Sequence, residues 1–198
     1  MVLKRYSNTT EVGCDEAGRG CLAGPVVASA VILPKGLIIE GLNDSKKLTS
    51  NKREYLSKLI KESALAWGIG TVSSKEIDKI NILNASFLAM HRALDKLNKD
   101  FKLILVDGPY FNKYKTKNHI CIIKGDGKID SIAAASIIAK DHRDKLMISL
   151  GDRFKEYKWQ KNKGYPTREH REALKKHGTT NFHRKSFKLL ENQMKINL

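Results

Sequence analysis

Short apolar runs, separated by glycine, proline and polar residues, mark the strands that the chain is expected to form. They are an apolar lead-in at residues 12–14, then residues 26–33, 65–72, 103–106 and 119–123. The run at 103–106 is continuously apolar, which is typical of a strand buried on both faces of a sheet. The first two strands are expected to lie side by side, with a glycine-rich loop between them.

Apolar positions spaced three and four residues apart predict the helices between these strands. One helix is expected at 51–63 after an N-cap at Thr49 or Ser50, and one long helix from Ser73 or Ser74 to about residue 98. Another should run to residue 150 after an N-cap at Asp130 or Ser131. The opening half of this last helix consists of small residues, so it should pack very closely on its neighbour.

The composition changes after residue 150. Apolar strands are no longer found, and a basic stretch with helical patterns follows at 152–159, 167–177 and 184–197. The 198 residues therefore predict one α/β domain with a mixed five-stranded sheet flanked by helices. Residues 1–150 would form its core, and residues 151–198 a basic helical C-terminal extension packed on the same domain.

The chain carries a large excess of positive charge. There are 37 basic and 21 acidic residues, a formal net charge of +16, and residues 151–198 alone hold 13 basic and 5 acidic residues. A basic block of this kind indicates a polyanionic partner, most simply a nucleic acid. A lysine-rich surface without a specific partner is the alternative that composition alone leaves open.

Carboxylates stand at the ends of three predicted strands. Asp15 and Glu16 follow the first, Asp107 follows the strand at 103–106, and Asp126 lies just beyond the strand at 119–123. Strand ends in α/β sheets collect ligands, and carboxylate oxygens are the ligands that Mg²⁺ and Mn²⁺ prefer. If the four acids converge they need divalent cations between them, and two ions about 4 Å apart can act on a phosphodiester.

Several further residues suit a nucleic acid backbone. Gly18 and Gly20 allow close approach to the main chain, and Arg19 between them carries a forked cation. Tyr165 lies among lysines and could stack on a sugar or base. Lys46, in a polar loop, and the pair Ser136 and Lys140, four apart on one helix, could contact phosphate; ordinary solvated positions are the alternative for all three.

Other classes of protein fit less well. The three cysteines Cys14, Cys21 and Cys121 form no Cys-x-x-Cys pair, so neither a disulfide framework nor a zinc ribbon is expected. The histidines have no zinc-ligand spacing. We find no signal sequence and no membrane-spanning apolar run, and we therefore expect a cytoplasmic protein with reduced thiols.

The order of these motifs resembles bacterial ribonuclease HII over nearly the whole chain. The resemblance is carried by DEAGRG at 15–20 with Gly-Pro at 24–25, DSKKL at 44–48, Asp-Gly at 107–108, KGD at 124–126, AASIIAK at 134–140, KGY at 163–165 and HR-x-SF at 183–187. No single motif is decisive, but the joint pattern is highly specific.

The resemblance implies a ribonuclease H-like fold and metal-dependent cleavage of RNA paired with DNA. The substrates would include RNA–DNA hybrids and DNA duplexes with single embedded ribonucleotides, cut on the 5′ side to leave 5′-phosphate and 3′-hydroxyl ends. Residue by residue, it implies two Mn²⁺ or Mg²⁺ ions held by Asp15, Glu16, Asp107 and Asp126. It further implies that Gly18, Arg19, Gly20 and Tyr165 read the 2′-hydroxyl, and that Lys46, Ser136 and Lys140 contact phosphates.

Some alternatives stay open at this point. Asp130 is close enough in sequence to Asp126 to compete for the fourth acidic position. A non-catalytic binder of hybrids or duplexes would keep the basic surface without the metal chemistry, and a metal nuclease of DNA junctions would keep both. Residues 193–198 lack the paired aromatics of a sliding-clamp peptide, so no clamp partner is expected, and we expect a monomer.

Overall fold

The computed structural model describes residues 3–43 and 45–190, and its centre is a five-stranded mixed sheet. The strands are β1 (Glu11–Ala17), β2 (Val26–Ile32), β3 (Ala66–Val72), β4 (Leu103–Asp107) and β5 (Asn118–Ile122), in the order β3-β2-β1-β4-β5. The pairs β1–β2 and β2–β3 are antiparallel, whereas β1–β4 and β4–β5 are parallel. The predicted mixed five-stranded sheet is confirmed.

Helices cover both faces of this sheet. Along β1, Val12 and Cys14 face an apolar cluster shared with α2 (Ser74–Ile80) and α3 (Ile82–Leu94). Helices α1 (Ser50–Ser63) and α4 (Asp130–Arg153) pack together on the other face. There Gly13 meets the small-residue start of α4, because a Cβ at Gly13 would lie 2.1 Å from the carbonyl carbon of Ser131. The close packing predicted for this helix is thus confirmed.

The helix boundaries correct two predictions. The long helix expected at 73–98 is two helices, because Asn81 takes a positive φ of 63° and its side chain caps α3 by accepting from Asn84 N. The N-cap of α4 is Ile129, without a side-chain cap, and Asp130 is already helical. The predicted caps Thr49 and Ser73 are confirmed, since each accepts a hydrogen bond from its helix. Asp44, the first residue of the DSKKL motif, lies outside the described residues.

The basic C-terminal part is less helical than its pattern predicts. Helix α4 continues to Arg153, a single 3₁₀ turn spans Lys155–Tyr157, and α5 (Trp159–Asn162) and α6 (Arg168–His177) follow. The helix predicted at 152–159 is therefore wrong. The one predicted at 184–197 is wrong over 184–190, where the backbone bonds to another loop: Arg184 N donates to Leu22 O at 2.9 Å. Its remainder lies outside the described residues.

The C-terminal part shares a core with the loop that follows β1. Leu22 and Ala23 from that loop pack in one apolar cluster with Met147 of α4, Trp159 and Leu174. This contact brings the residues after 150 next to the strand end that carries Asp15. None of the described helices has the length and apolar character needed to cross a membrane.

Candidate functional site

Three of the predicted acids meet at one edge of the sheet. Asp15, Asp107 and Asp126 each offer a carboxylate oxygen, and these oxygens lie within 4.8 Å of one another. We call this group the acidic edge. Gly125 N donates a hydrogen bond to Asp107 Oδ1 at 2.7 Å, and this bond joins the loop that carries Asp126 to the end of β4.

The strand register explains why Asp15 and Asp107 are neighbours. Cys14 of β1 pairs with Val106 of β4 in parallel, so the following residues, Asp15 and Asp107, lie side by side. Because side chains alternate along a strand, Asp15 shares the α4 face with Gly13. Asp126 arrives from the 3₁₀ turn Gly125–Gly127, which follows the neighbouring parallel strand β5.

The electrostatics of the acidic edge are unfavourable for three anions. Burial raises the pKa of Asp15 well above its ordinary value, and the charges of Glu16 and Asp107 raise it further. The pKa of Asp107 is raised by burial and then by Asp126. Lys46 Nζ lies 3.6 Å from Asp126 Oδ2, but its side chain is 75% exposed and therefore screened. The site therefore favours a bound cation of higher charge.

Glu16 lies beside the acidic edge without being one of its three members. It follows Asp15 within β1, so its side chain starts toward the opposite face of the sheet. Its Oε1 accepts a hydrogen bond from Arg19 Nη1 at 3.3 Å. Burial raises the pKa of Glu16, and the positive charge of Arg19 opposes this rise. The negative charge of Asp107 raises the pKa of Glu16 further, so the Glu16 carboxylate is close enough to interact with the acidic edge.

The structure separates Asp126 from its competitor Asp130. Asp130 starts α4 and interacts electrostatically with Glu11, the first residue of β1, and with Arg5, which precedes that strand. Asp15 lies toward the other end of β1. Burial raises the pKa of Asp130 as well, so a raised pKa alone does not distinguish the two acids. Their positions distinguish the two acids, because Asp126, and not Asp130, is within ligand distance of Asp15 and Asp107.

The glycine loop, residues 18–20, and Tyr165 are neighbours in space although about 145 positions separate them in sequence. Leu22 N donates to Gly164 O at 2.8 Å, which joins the two loops through their backbones. Gly20 has open space where a side chain would be, and Tyr165 is 38% exposed. The two loops therefore present main chain and an aromatic ring to solvent at adjacent points.

The three residues predicted to contact phosphate have different surroundings. Lys46 pairs with Asp126, as described above. Ser136 is buried, its Oγ lies 2.9 Å from Ser45 Oγ, and its hydrogen bond lowers the pKa of Asp15. Lys140 Nζ forms an ion pair with Asp144 at 2.6 Å and lies 5.4 Å from the centre of the Tyr165 ring. Ser136 thus supports the acidic edge, and Lys140 lies beside Tyr165.

Two residues at the loops were assigned no role from the sequence. Arg143 and Arg184 are fully buried, and their guanidinium groups donate to backbone carbonyls of the surrounding loops. Arg184 belongs to one of the motifs of the resemblance, but no spacing marks either residue as buried. An arginine in a basic chain is expected at the surface, so the burial of these two arginines could be found only from the structure.

Comparison with known proteins agrees with this geometry. The family model described as ribonuclease HII matches residues 12–190. A ribonuclease HII of Christiangramia forsetii is 58% identical over 187 residues, which cover 94% of each chain.

Solved structures show the same fold at lower identity. A ribonuclease H2 of Pyrococcus horikoshii OT3 has a TM-score of 0.75 and 28% identity, covering 91% of this chain and 94% of that one. The ribonuclease HII of Archaeoglobus fulgidus, solved in a complex with PCNA, has a TM-score of 0.75 and 25% identity, covering 93% of this chain and 98% of that one. Sequence motifs, sheet topology and the family match together place this chain in the ribonuclease HII family.

Proposed function

We propose that this chain is a metal-dependent endoribonuclease that hydrolyses the RNA strand of RNA–DNA hybrids. The same activity would incise DNA duplexes on the 5′ side of an embedded ribonucleotide, leaving 5′-phosphate and 3′-hydroxyl ends. Such incision belongs to the removal of ribonucleotides from DNA. The observation that carries the proposal is the acidic edge, three carboxylates with oxygens within 4.8 Å of one another, beside a glycine loop that is open at Gly20, in a strongly basic chain.

The residues present fit a divalent metal centre. Asp15, Asp107 and Asp126 would hold the ions, with Glu16 as a fourth acid, because hard oxygen ligands at this spacing suit Mg²⁺ and Mn²⁺. Two bound ions would activate a water molecule and stabilise the leaving oxygen of the phosphodiester. The raised pKa values of Asp15 and Asp107 agree with this assignment, since bound cations would relieve the repulsion.

The chain's own residues would select the ribonucleotide. The main chain at Gly18, Arg19 and Gly20 would meet the 2′-hydroxyl with its donors and acceptors, and Tyr165 would pack against the sugar. The 2′-hydroxyl is what distinguishes RNA from DNA at a given nucleotide. Lys46 and Lys140 would contact the flanking phosphates, while Ser136 would act through Asp15.

The basic surface would supply affinity without sequence preference. Lysines and arginines neutralise phosphates and release counterions, so binding should weaken steeply as the salt concentration rises. The substrates would be RNA–DNA hybrids and ribonucleotide-containing DNA duplexes. The protein would act on them as a monomer in the cytoplasm. Residues 193–198, where no clamp peptide was found, lie outside the described residues, and we propose no clamp partner.

A cleavage assay on a labelled DNA duplex with one ribonucleotide tests this function. An all-DNA duplex of the same sequence serves as the control, and each is incubated with Mg²⁺, Mn²⁺ or EDTA. We expect one cut on the 5′ side of the ribonucleotide, only with metal and only in the chimeric strand. Cutting of both duplexes would contradict the assignment of the glycine loop and Tyr165, and would favour a general nuclease.

A non-catalytic hybrid or duplex binder is the second candidate, favoured by the same basic composition. It predicts binding of both duplexes with no cut under any metal condition. The gathered carboxylates argue against it, because negative charge at a phosphate-binding surface weakens binding unless a cation occupies it.

A further inference from the structure

Two buried cations lie behind the glycine loop. Arg143 of α4 and Arg184 of the C-terminal segment are both 0% exposed. Within residues 3–43 and 45–190, neither guanidinium is part of an ion pair with a carboxylate. Burial lowers the pKa of Arg184 to about 10, so the group is still charged at neutral pH. Burying a charge is costly, and hydrogen bonds must offset that cost.

Arg143 fastens the loop after β1 to the loop that precedes Tyr165. Its Nε donates to Pro25 O at 3.0 Å and its Nη2 to Ala23 O at 3.1 Å. Its Nη1 donates to Lys163 O at 3.0 Å, on the other loop. One planar guanidinium therefore fixes three carbonyls on two loops, which an ammonium group on a flexible stem cannot reproduce.

Arg184 holds the glycine loop itself. Its Nη1 donates to Arg19 O at 2.8 Å, and its Nε donates to Gly24 O at 3.0 Å. Since Arg19 lies between the two glycines, this bond sets the direction of the peptide group that would meet the ribose. We call Arg143 and Arg184 together the arginine bridge.

The packing around the arginine bridge leaves little freedom to the two loops. A Cβ at Gly18 would lie 2.0 Å from Arg143 Nε, so the guanidinium is pressed against the start of the glycine loop. A Cβ at Gly164 would lie 2.5 Å from Ala23 O, so the Tyr165 loop rests directly on the other. Any shift of either arginine would therefore change the spacing between Gly18–Gly20 and Tyr165.

We propose that Arg143 and Arg184 are positioning residues that set the distance between the glycine loop and Tyr165, and thereby the selectivity for a ribonucleotide. The inference rests on the proposed function, because it assumes that these two loops contact the 2′-hydroxyl. Neither arginine would touch substrate. Both act through the carbonyls they hold, since recognition of one hydroxyl requires its partners to be fixed within about 0.5 Å.

Lysine substitutions test the arginine bridge while keeping the charge. Arg143→Lys and Arg184→Lys are compared with Arg5→Lys, whose arginine also donates to backbone carbonyls, those of Ser7, Thr9 and Leu33. We measure kcat and KM on the single-ribonucleotide duplex, the cleavage of the all-DNA duplex, thermal melting, and the increase in Tm on adding Mn²⁺.

We expect each bridge variant to melt cooperatively and to retain the Mn²⁺ effect, because the acidic edge is untouched. Its kcat on the single-ribonucleotide duplex should fall by about 100-fold, the effect of a misplaced reacting group, while KM changes little. Arg5→Lys should keep the parent's kcat. Bridge variants that keep the parent's kcat, or an equal loss in Arg5→Lys, would overturn the proposal.

Gly164→Ala provides a second route if the lysine variants fail to fold. It separates the two loops by the clash with Ala23 O and substitutes neither arginine. The same fall in kcat with the Mn²⁺ effect retained would support the inference, and an unchanged kcat would refute it. Failure of the proposed function would be seen earlier, as a parent protein that cuts both duplexes or neither.

Discussion

The acidic edge and the arginine bridge solve the problem of buried charge in opposite ways. At the acidic edge, Asp15, Asp107 and Asp126 face one another, so the fold gathers like charges and raises the pKa of two of them. At the arginine bridge, Arg143 and Arg184 are surrounded by backbone carbonyls, whose oxygens accept from the guanidinium groups.

This difference shows which charges serve a partner and which serve the chain. A cluster of like charges is stabilised only when something external neutralises it, so the acidic edge is prepared for cations. The guanidinium groups of the arginine bridge donate to loop carbonyls instead, although Arg184 Nη2 has no hydrogen-bond partner among the described residues. The arginine bridge therefore organises the loops. Each of the following predictions tests this distinction.

The largest expected effect is on cleavage by Asp107→Asn. The change removes a proposed metal ligand, so we expect cleavage to fall by at least about 1,000-fold, in line with several kcal/mol of lost transition-state stabilisation. Binding of the duplex should stay similar or become tighter, because one repulsive charge near the phosphates is removed. The measurements are single-turnover cleavage and a binding titration at several salt concentrations.

Asp130→Asn is the matched control for this prediction. Asp130 also has a pKa raised by burial, but it interacts with Glu11, at the other end of β1, and with Arg5, which precedes that strand. It should keep the parent's cleavage rate. Equal turnover by Asp107→Asn and the parent would refute the ligand assignment, and loss of cleavage in both variants would remove the distinction between the two acids.

A smaller effect is expected on stability when metal is added. Mn²⁺ should stabilise the parent by about 2.7 kcal/mol when its concentration is 100 times Kd, because only the folded chain gathers the three acids. Without metal, Asp107→Asn should melt above the parent, since a source of repulsion is gone. Calorimetry of both proteins in EDTA and in Mn²⁺ measures these differences in stability. An equal stabilisation of both proteins by Mn²⁺ would contradict the assignment of the acidic edge as the metal site.

The smallest expected effect is the response of the C-terminal loops to acid. His183 precedes Arg184, and its Nε2 lies 3.1 Å from Nε2 of the buried His170. Burial, and then His170, lower the pKa of His183 from 6.5 to about 4. The unfolded chain therefore binds a proton between these values that the folded chain does not, so stability present above pH 6.5 should be lost as the pH falls toward 4.

Between pH 7 and 4.5 this loss should amount to about 2 kcal/mol for His183. Asp15 and Asp107 have the opposite sign, because their raised pKa values make the metal-free protein gain stability as the pH falls. Urea unfolding of the parent and of His183→Gln between pH 7 and 4.5 isolates the histidine contribution. If the free energy of unfolding changed with pH equally in the two proteins, the buried histidines would not control the loss of stability in acid.

The local elements were predicted well where one physical rule decides them. The five strands and the caps Thr49 and Ser73 follow from apolar runs and from side chains that accept helix N–H groups, and all were confirmed. The predictions failed where a tertiary contact or a single residue overrides the periodicity. Asn81 broke a continuous apolar stripe into two helices, and residues 184–190 bond to another loop instead of forming a helix.

By itself the sequence determined the sheet, the family and the acids that stand at strand ends, because these depend on residue types at fixed local spacings. Only the tertiary structure decided which acids meet. The parallel register of β1 and β4 places Asp15 beside Asp107, and the start of α4 takes Asp130 away from them. The arginine bridge also belongs to the tertiary structure, because burial and the identity of a hydrogen-bond partner depend on contacts between segments up to 165 residues apart.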